Sequence, residues 1–203
     1  MTVRDYDVTE EHMRYYSNEG YVLLPGLIET EAIASIQPII TRLMGNIEPR
    51  SSVNIRERTD LGESHLEIKK FVTSSRWADV AARLMGVKEA KLLFDCAFYK
   101  KPGDSQTLWH QDNTNWNGRN LTTMWFPLTE ASAAMGSLTF LSGSHHSGET
   151  SIKQAIRRHA AIKRYDAMRL GDATFHTGWT FHSAPPVPGE QTREAFALLF
   201  IAA

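Results

Sequence analysis

The chain has 203 residues, 42% hydrophobic and 22% charged, with a formal net charge of −1. That length fits one domain, residues 1–203, with a full core, and the balanced charge gives no reason to expect nucleic acid or an anionic membrane as partner. A single cysteine, Cys96, excludes an internal disulfide and a cysteine-based zinc site; no signal-like or membrane-spanning apolar run is present, so the expected setting is the cytoplasm.

Thr9 is placed to cap a helix running to about Ser17, with Gly20 as its stop. Tyr21 to Leu24 then forms a short apolar run closed by Pro25-Gly26, the pattern of a buried strand. Ala32, Ile33, Ile36, Ile39, Ile40 and Leu43 recur at helical spacing, which predicts a helix over 29–44 kinked at Pro38. The polar stretch from Glu48 to Leu66 reads as an irregular loop, and Ser74 or Ser75 opens a helix that Gly86 closes. Beyond residue 90 the period changes to short runs at 92–99, 121–128, 137–141, 168–170, 173–176 and 195–201, separated by turn residues. One helical insertion is expected over 151–164. Helices first and short strands afterwards predict an α+β chain whose second half is a β-sandwich or barrel.

Within that half, His110 and Asp112 lie two residues apart, which puts both on one face of an extended segment. His182 follows Phe175, Trp179 and Phe181, consistent with a strand of the same barrel. Two imidazoles and one carboxylate leave three positions of a metal open. That is the ligand set of non-heme Fe(II) oxygenases, with Mn, Co, Ni and Zn as competitors for nitrogen and oxygen ligands. Arg193 adds a guanidinium able to grip a dicarboxylic co-substrate. Alone, His-x-Asp is a weak motif, and a surface hydrogen-bonded pair explains it as well.

Four segments in order strengthen it: SNEGYVLLPGLIETEAI, YKKPGDSQTLWHQDNTNW, LTTMWFPLTEASAAMGSLTFLSGSHHSG, and LGDATFHTGWTFHSAPP followed by Arg193. Together they resemble the phytanoyl-CoA dioxygenase family, a branch of the Fe(II)/2-oxoglutarate oxygenases. The resemblance implies a mainly β core, a double-stranded β-helix (a cupin-like jelly roll) with N-terminal flanking helices. It makes His110, Asp112 and His182 the iron ligands, with His176 a core or neighbouring residue, and gives Arg193 the distal carboxylate of 2-oxoglutarate. Tyr99, Thr122, Lys101 and Trp125 match positions that approach the co-substrate. Ser183 follows the last ligand directly, whereas much of the family has a serine one residue later, where this chain has Ala184. Asn113, Trp116 and Trp179 flank the ligands as candidate substrate contacts.

The implied reaction consumes O2 and 2-oxoglutarate, releases succinate and CO2, and hydroxylates a C–H bond of a small organic molecule. Asp112 occupies the position that halogenating relatives leave open, which favours oxygenation. No side chain need act as a general base. Two rivals stand beside this reading: a catalytically silent jelly roll that binds a metabolite, and a cupin-like metal enzyme that does not use 2-oxoglutarate. The basic run from Lys153 to Arg164 and the pair His145-His146 read as solvated surface. Substrate identity and oligomeric state do not follow from the sequence.

Overall fold

The computed structural model describes residues 6–45, 47–48, 55–116, 118–159 and 161–203. Helix α1 (Glu10–Glu19) opens on a capping box in which Thr9 and His12 exchange side-chain and backbone hydrogen bonds, and ends at Gly20 in the left-handed conformation, φ 85°. A side chain at 20 would collide with Thr180 and His145, so only glycine fits that turn. Strand β1 (Tyr21–Leu24) follows, then α2 (Thr30–Met44), which buries Ile33, Ile36, Ile40 and Met44 while Pro38 stays on its exposed side.

The stretch expected as a loop is more ordered than its polarity suggests. Residues 49–54 lie outside the described residues, but β2 (Arg56–Thr59), α3 (Leu61–Ser64) and α4 (Leu66–Val72) take up most of the segment from Arg56 to Val72. β2 is a sheet edge, so its Arg-Glu-Arg-Thr sequence has no apolar alternation to betray it. The buried Asp95 carboxylate accepts from Leu61 N and Gly62 N and holds the start of α3. After α5 (Ser75–Met85) come β3 (Ala90–Lys100), β4 (Thr107–His110), a 3-10 turn at Asp112–Asn115, β5 (Leu121–Pro127), α6 (Glu130–Ala134) and β6 (Thr139–Leu141). The expected insertion splits into α7 (Ile152–Arg158) and β7 (Ile162–Arg164). Residues 168–170 form no strand, because the Asp172 carboxylate takes the Arg169 and Gly26 amides and closes a turn there. β8 (Ala173–Thr177), β9 (His182–Ala184) and β10 (Arg193–Ala202) complete the chain.

The strands form two antiparallel sheets, β1-β8-β5-β10-β3-β2 and β4-β9-β6-β7, the two layers of a double-stranded β-helix. The helices cover the outer face of the larger sheet. Phe126, Phe196, Leu198 and Phe200 point toward them and join Ile33, Ile36, Ile40, Phe71 and Trp77 in the main core. Neighbouring positions, Trp125, Ala195, Ala197 and Leu199, point between the sheets. No helix among the described residues is long and apolar enough to cross a membrane.

Candidate metal centre and its cavity

β4 and β9 are antiparallel neighbours with His110 opposite His182, and the two imidazoles stand 4.2 Å apart between centroids. Gln111 is extended, φ −120° and ψ 130°, so Asp112 returns to the face that His110 occupies. The Gln111 amide goes the other way and donates to the carbonyls of Trp179 (2.7 Å) and Gly148 (2.8 Å), which fixes this stretch. Asp112 Oδ1 then lies 3.5 Å from His182 Nε2 and 3.8 Å from His110 Nε2. One ligand atom from each of the three residues falls within 4.8 Å of the others.

Proton placement suits a cation. His110 Nδ1 is 2.8 Å from the Leu108 carbonyl and His182 Nδ1 is 3.0 Å from that of Thr180. A carbonyl can only accept, so each Nδ1 carries the proton and each Nε2 offers a lone pair. The second oxygen of Asp112 is already engaged: Thr123 Oγ1 donates to Oδ2 at 2.7 Å and His176 Nε2 pairs with it at 3.2 Å. Thr123 and His176 face each other across the β5–β8 ladder, so one rung clamps the carboxylate and leaves Oδ1 to coordinate. Burial pushes the Asp112 carboxyl up, but His182, His176 and His110 around it hold it well below the ordinary carboxylate range. Burial, then His110, holds the His182 imidazole well below its ordinary value. An ionised carboxylate beside an imidazole that disfavours its charged form suits a metal ligand set.

A cavity of about 440 Å³ opens from these ligands between the sheets, walled by Phe94, Phe98, Trp116, Trp125, Leu138 and Leu199. Two cations also line it. Arg193 starts β10 and is the register partner of Lys100 on β3; they are 5% and 2% exposed. Lys100 Nζ donates to the Ser105 carbonyl at 2.5 Å. Its pKa is pulled down to about 8 by burial and then by Arg193, with Asp104 opposing. Burial, then Arg164, brings Arg193 down to about 10. No carboxylate among the described residues pairs with the Arg193 guanidinium. A buried, unpaired cation in a cavity is built to receive an anion.

The sequence profile of the family described as Phytanoyl-CoA dioxygenase (PhyH) matches residues 16–195. The chain belongs to the phytanoyl-CoA dioxygenase family. Solved structures agree on the fold. The non-heme alpha ketoglutarate dependent epimerase SnoN from nogalamycin biosynthesis superposes with a TM-score of 0.81 at 22% identity, over 96% of this chain and 83% of that one. The carbocyclase SnoK from the same biosynthesis gives 0.81 at 21% identity, over 97% and 85%. EctD from S. alaskensis with bound Fe gives 0.78 at 18%, over 100% and 79%. No curated protein sequence matches the chain.

Within this phytanoyl-CoA dioxygenase fold the expected site residues separate into two groups. His110, Asp112, His182, Arg193, Trp125 and Trp116 all line the cavity. Tyr99, Thr122, Lys101 and Ser183 do not reach it. Tyr99 OH bonds Glu194 (2.9 Å) and Thr41 (2.7 Å), and Thr122 Oγ1 lies between Tyr16 OH (2.7 Å) and the His176 carbonyl (3.1 Å), both on the helical side of the sheet. Lys101 is an exposed turn residue whose amide donates to Asp104, and Ser183 lies between the cavity residues His182 and Ala184 with the opposite orientation. Asn113 is buried, with neither side-chain amide atom hydrogen-bonded among the described residues, and Trp179 contributes its carbonyl to Gln111 rather than a wall to the cavity.

On β3 and β5 the residues that line the cavity lie one position from the expected ones: Lys100 and Thr123 line it, and Tyr99, Lys101 and Thr122 do not. Nothing local in the sequence marked Lys100 over Lys101.

Proposed function

We propose that the protein is an Fe(II)- and 2-oxoglutarate-dependent dioxygenase that hydroxylates a C–H bond of a small organic substrate, with residues 1–203 acting as one catalytic domain in the cytoplasm. The observation that carries this reading is the pairing, in one cavity, of a two-imidazole, one-carboxylate group with a buried guanidinium that has no carboxylate partner among the described residues. The donor set fits Fe(II): nitrogen and oxygen ligands, correctly protonated, with coordination positions left over. When bound, iron and 2-oxoglutarate supply the oxidising power, turning O2 and the co-substrate into succinate, CO2 and an oxidised C–H position.

The chain's own residues do the rest. His110, Asp112 and His182 would hold the metal, and the Thr123–His176 rung, which engages Asp112 Oδ2, would leave the other oxygen to it. Arg193 takes the far carboxylate of the co-substrate, and its planar fork sets that molecule's direction. Phe94, Phe98, Trp116 and Leu199 keep water from the reacting end and offer an apolar substrate a surface. Asp112 would occupy the metal position that a halide needs, which supports oxygenation over halogenation. SnoN is an epimerase and SnoK a carbocyclase, so this fold serves more than one outcome; hydroxylation is our choice among them.

Protein mixed with Fe(II) and 2-oxoglutarate without oxygen is expected to develop a visible metal-to-ligand charge-transfer band, lost in Arg193→Ala at moderate 2-oxoglutarate. On admitting oxygen, succinate should form, slowly even without substrate. A folded, iron-loaded protein with no band and no succinate is instead a silent binding protein or a metal enzyme of another kind.

A further inference from the structure

We infer that the substrate is a flat, largely apolar ring molecule carrying a hydrogen-bond donor. Its ring lies in a trough across the larger sheet, and Glu57 on the edge strand β2 recognises the donor. This deepens the proposed function and rests on the reading of the cavity as an oxygenase site.

Strand register lays out the cavity floor rung by rung. Phe94 of β3, Leu199 of β10 and Thr123 of β5 share one rung, and Thr123 is the residue that donates to Asp112. Two residues along, Thr59, Cys96, Ala197 and Trp125 form the next rung across β2, β3, β10 and β5. Glu57, Phe98 and Ala195 form the one after it. All of these side chains line the cavity. The small residues Cys96 and Ala197, set between Phe94 and Phe98, leave a trough that runs from exposed Thr59 inward to buried Trp125. Three inter-strand steps make it roughly 14 Å long. Trp116 stands against Phe94, with 5.7 Å between ring centroids. Phe94, Phe98 and Trp116 are only half-buried, and Leu108, which also lines the cavity, is 69% exposed. Apolar surface left open inside a concave site is what a flat apolar ligand would cover.

The polar side of the recognition comes from β2. Its sequence is Arg-Glu-Arg-Thr, and both arginines turn away from the cavity: Arg56 pairs with Asp104 at 2.5 Å and Arg58 donates to the Leu43 carbonyl. Glu57 between them therefore faces inward, opposite Phe98. Glu57 and Asp112 are the carboxylates among the described residues that line the cavity, and Asp112 belongs to the metal group. The cavity is thus sorted by charge. Lys100 and Arg193 place cations on β3 and β10, and Glu57 places an anion on the open edge of the sheet. An ionised carboxylate only accepts hydrogen bonds, so it favours an ammonium or a hydroxyl and repels an anionic group.

The test uses three naphthalene probes with a common two-carbon chain: 2-(2-naphthyl)ethylamine, 2-(2-naphthyl)ethanol and 3-(2-naphthyl)propionate. Binding is measured by anaerobic calorimetry on protein carrying Fe(II) and 2-oxoglutarate, with the charge-transfer band reporting loading. Wild type is expected to bind the amine tightest and the propionate weakest, about tenfold apart. Glu57→Gln should bring the amine and the alcohol within about twofold of each other, and Glu57→Lys should favour the propionate. Cys96→Leu, which fills the trough, should weaken all three about tenfold; Cys96→Val is the smaller filling to use should the leucine variant misfold. Equal affinities in wild type, or an amine preference that survives Glu57→Gln, overturn the role of Glu57. Probes that bind wild type and Cys96→Leu alike, or bind neither, overturn the trough. Either result with the band intact leaves the proposed function standing. A folded protein that gives no band while the probes rank as expected keeps the Glu57 site and loses the oxygenase reading.

Discussion

Lys100 holds its ammonium on the Ser105 carbonyl beside the Arg193 guanidinium, and burial followed by that neighbour brings its pKa from 10.5 down to about 8. The folded state therefore binds this proton less tightly than the unfolded chain. Between about pH 8 and 10.5 the unfolded chain carries more protons at this site, so its contribution to stability rises with pH across that window and is least favourable below it. An anion placed between the two cations reverses the bias and raises the Lys100 pKa. Binding should then take up a proton, and 2-oxoglutarate affinity should fall as pH climbs through about 8. Calorimetry in buffers of different ionisation enthalpy is expected to show that uptake in wild type and not in Lys100→Met, whose affinity should be nearly flat over the same range. A Lys100→Met variant that keeps the wild-type pH slope would remove Lys100 as its cause.

At the level of the element, β10 shows how one strand makes a core and a cavity at once. Phe196, Leu198 and Phe200 face the helices, while Ala195, Ala197 and Leu199 face the space between the sheets. The cavity exists because the inward positions nearest Arg193 are alanines. Adjacent residues should thus fail in opposite ways. Phe196 is fully buried and meets Phe126 edge to face at 5.8 Å, so Phe196→Ala is expected to cost about 3–5 kcal/mol of stability while the folded fraction binds 2-oxoglutarate normally. Ala195→Leu fills cavity rather than core; it should change the denaturation midpoint little and abolish co-substrate binding. Equal stability losses in the two variants would contradict this division of faces.

The same strands explain what the sequence could and could not reveal. Element positions on β1, α1, α2, α5, β3, β5 and β10 were legible from caps, helical spacing and apolar runs. Which side of β3 and β5 faces the site was not. Every residue of β5 is buried, because helices cover one side of it and the second sheet the other. A strand buried on both faces has no polar alternation to set its phase, so Thr122 and Thr123 look alike in sequence. The grouping of His110, Asp112 and His182 was legible through the four ordered segments that resemble the family, because the spacing of two alone fits a surface pair equally well. The pairing of Thr107 with Ala184 and of Thr123 with His176 depends on strand register, which a single sequence leaves open.

For the molecule as a whole, the candidate metal centre is a joint between layers. His110 and His182 come from the smaller sheet, whereas Thr123 and His176, which orient Asp112, belong to the larger one. The amino-terminal segment is tied to the same region: the Gly20 carbonyl accepts from Thr177 N and Thr180 Oγ1, on the chain between His176 and His182. A cation bound at Asp112 Oδ1 and the two Nε2 atoms links elements that no disulfide can, and the unfolded chain offers no such preformed group. Binding to the native state alone stabilises by RT ln(1 + [M]/Kd), about 2.7 kcal/mol at a hundred times Kd. In a chain of this size that corresponds to a rise in melting temperature of roughly 5–11 °C. Fe(II), or Mn(II) as an air-stable substitute, should produce such a rise in wild type, and a chelator should reverse it. Asp112→Asn keeps the shape of the side chain but loses its charge, so its melting temperature should respond far less to metal. A wild-type protein whose melting is indifferent to these ions would show that the three ligands are not held ready to bind one.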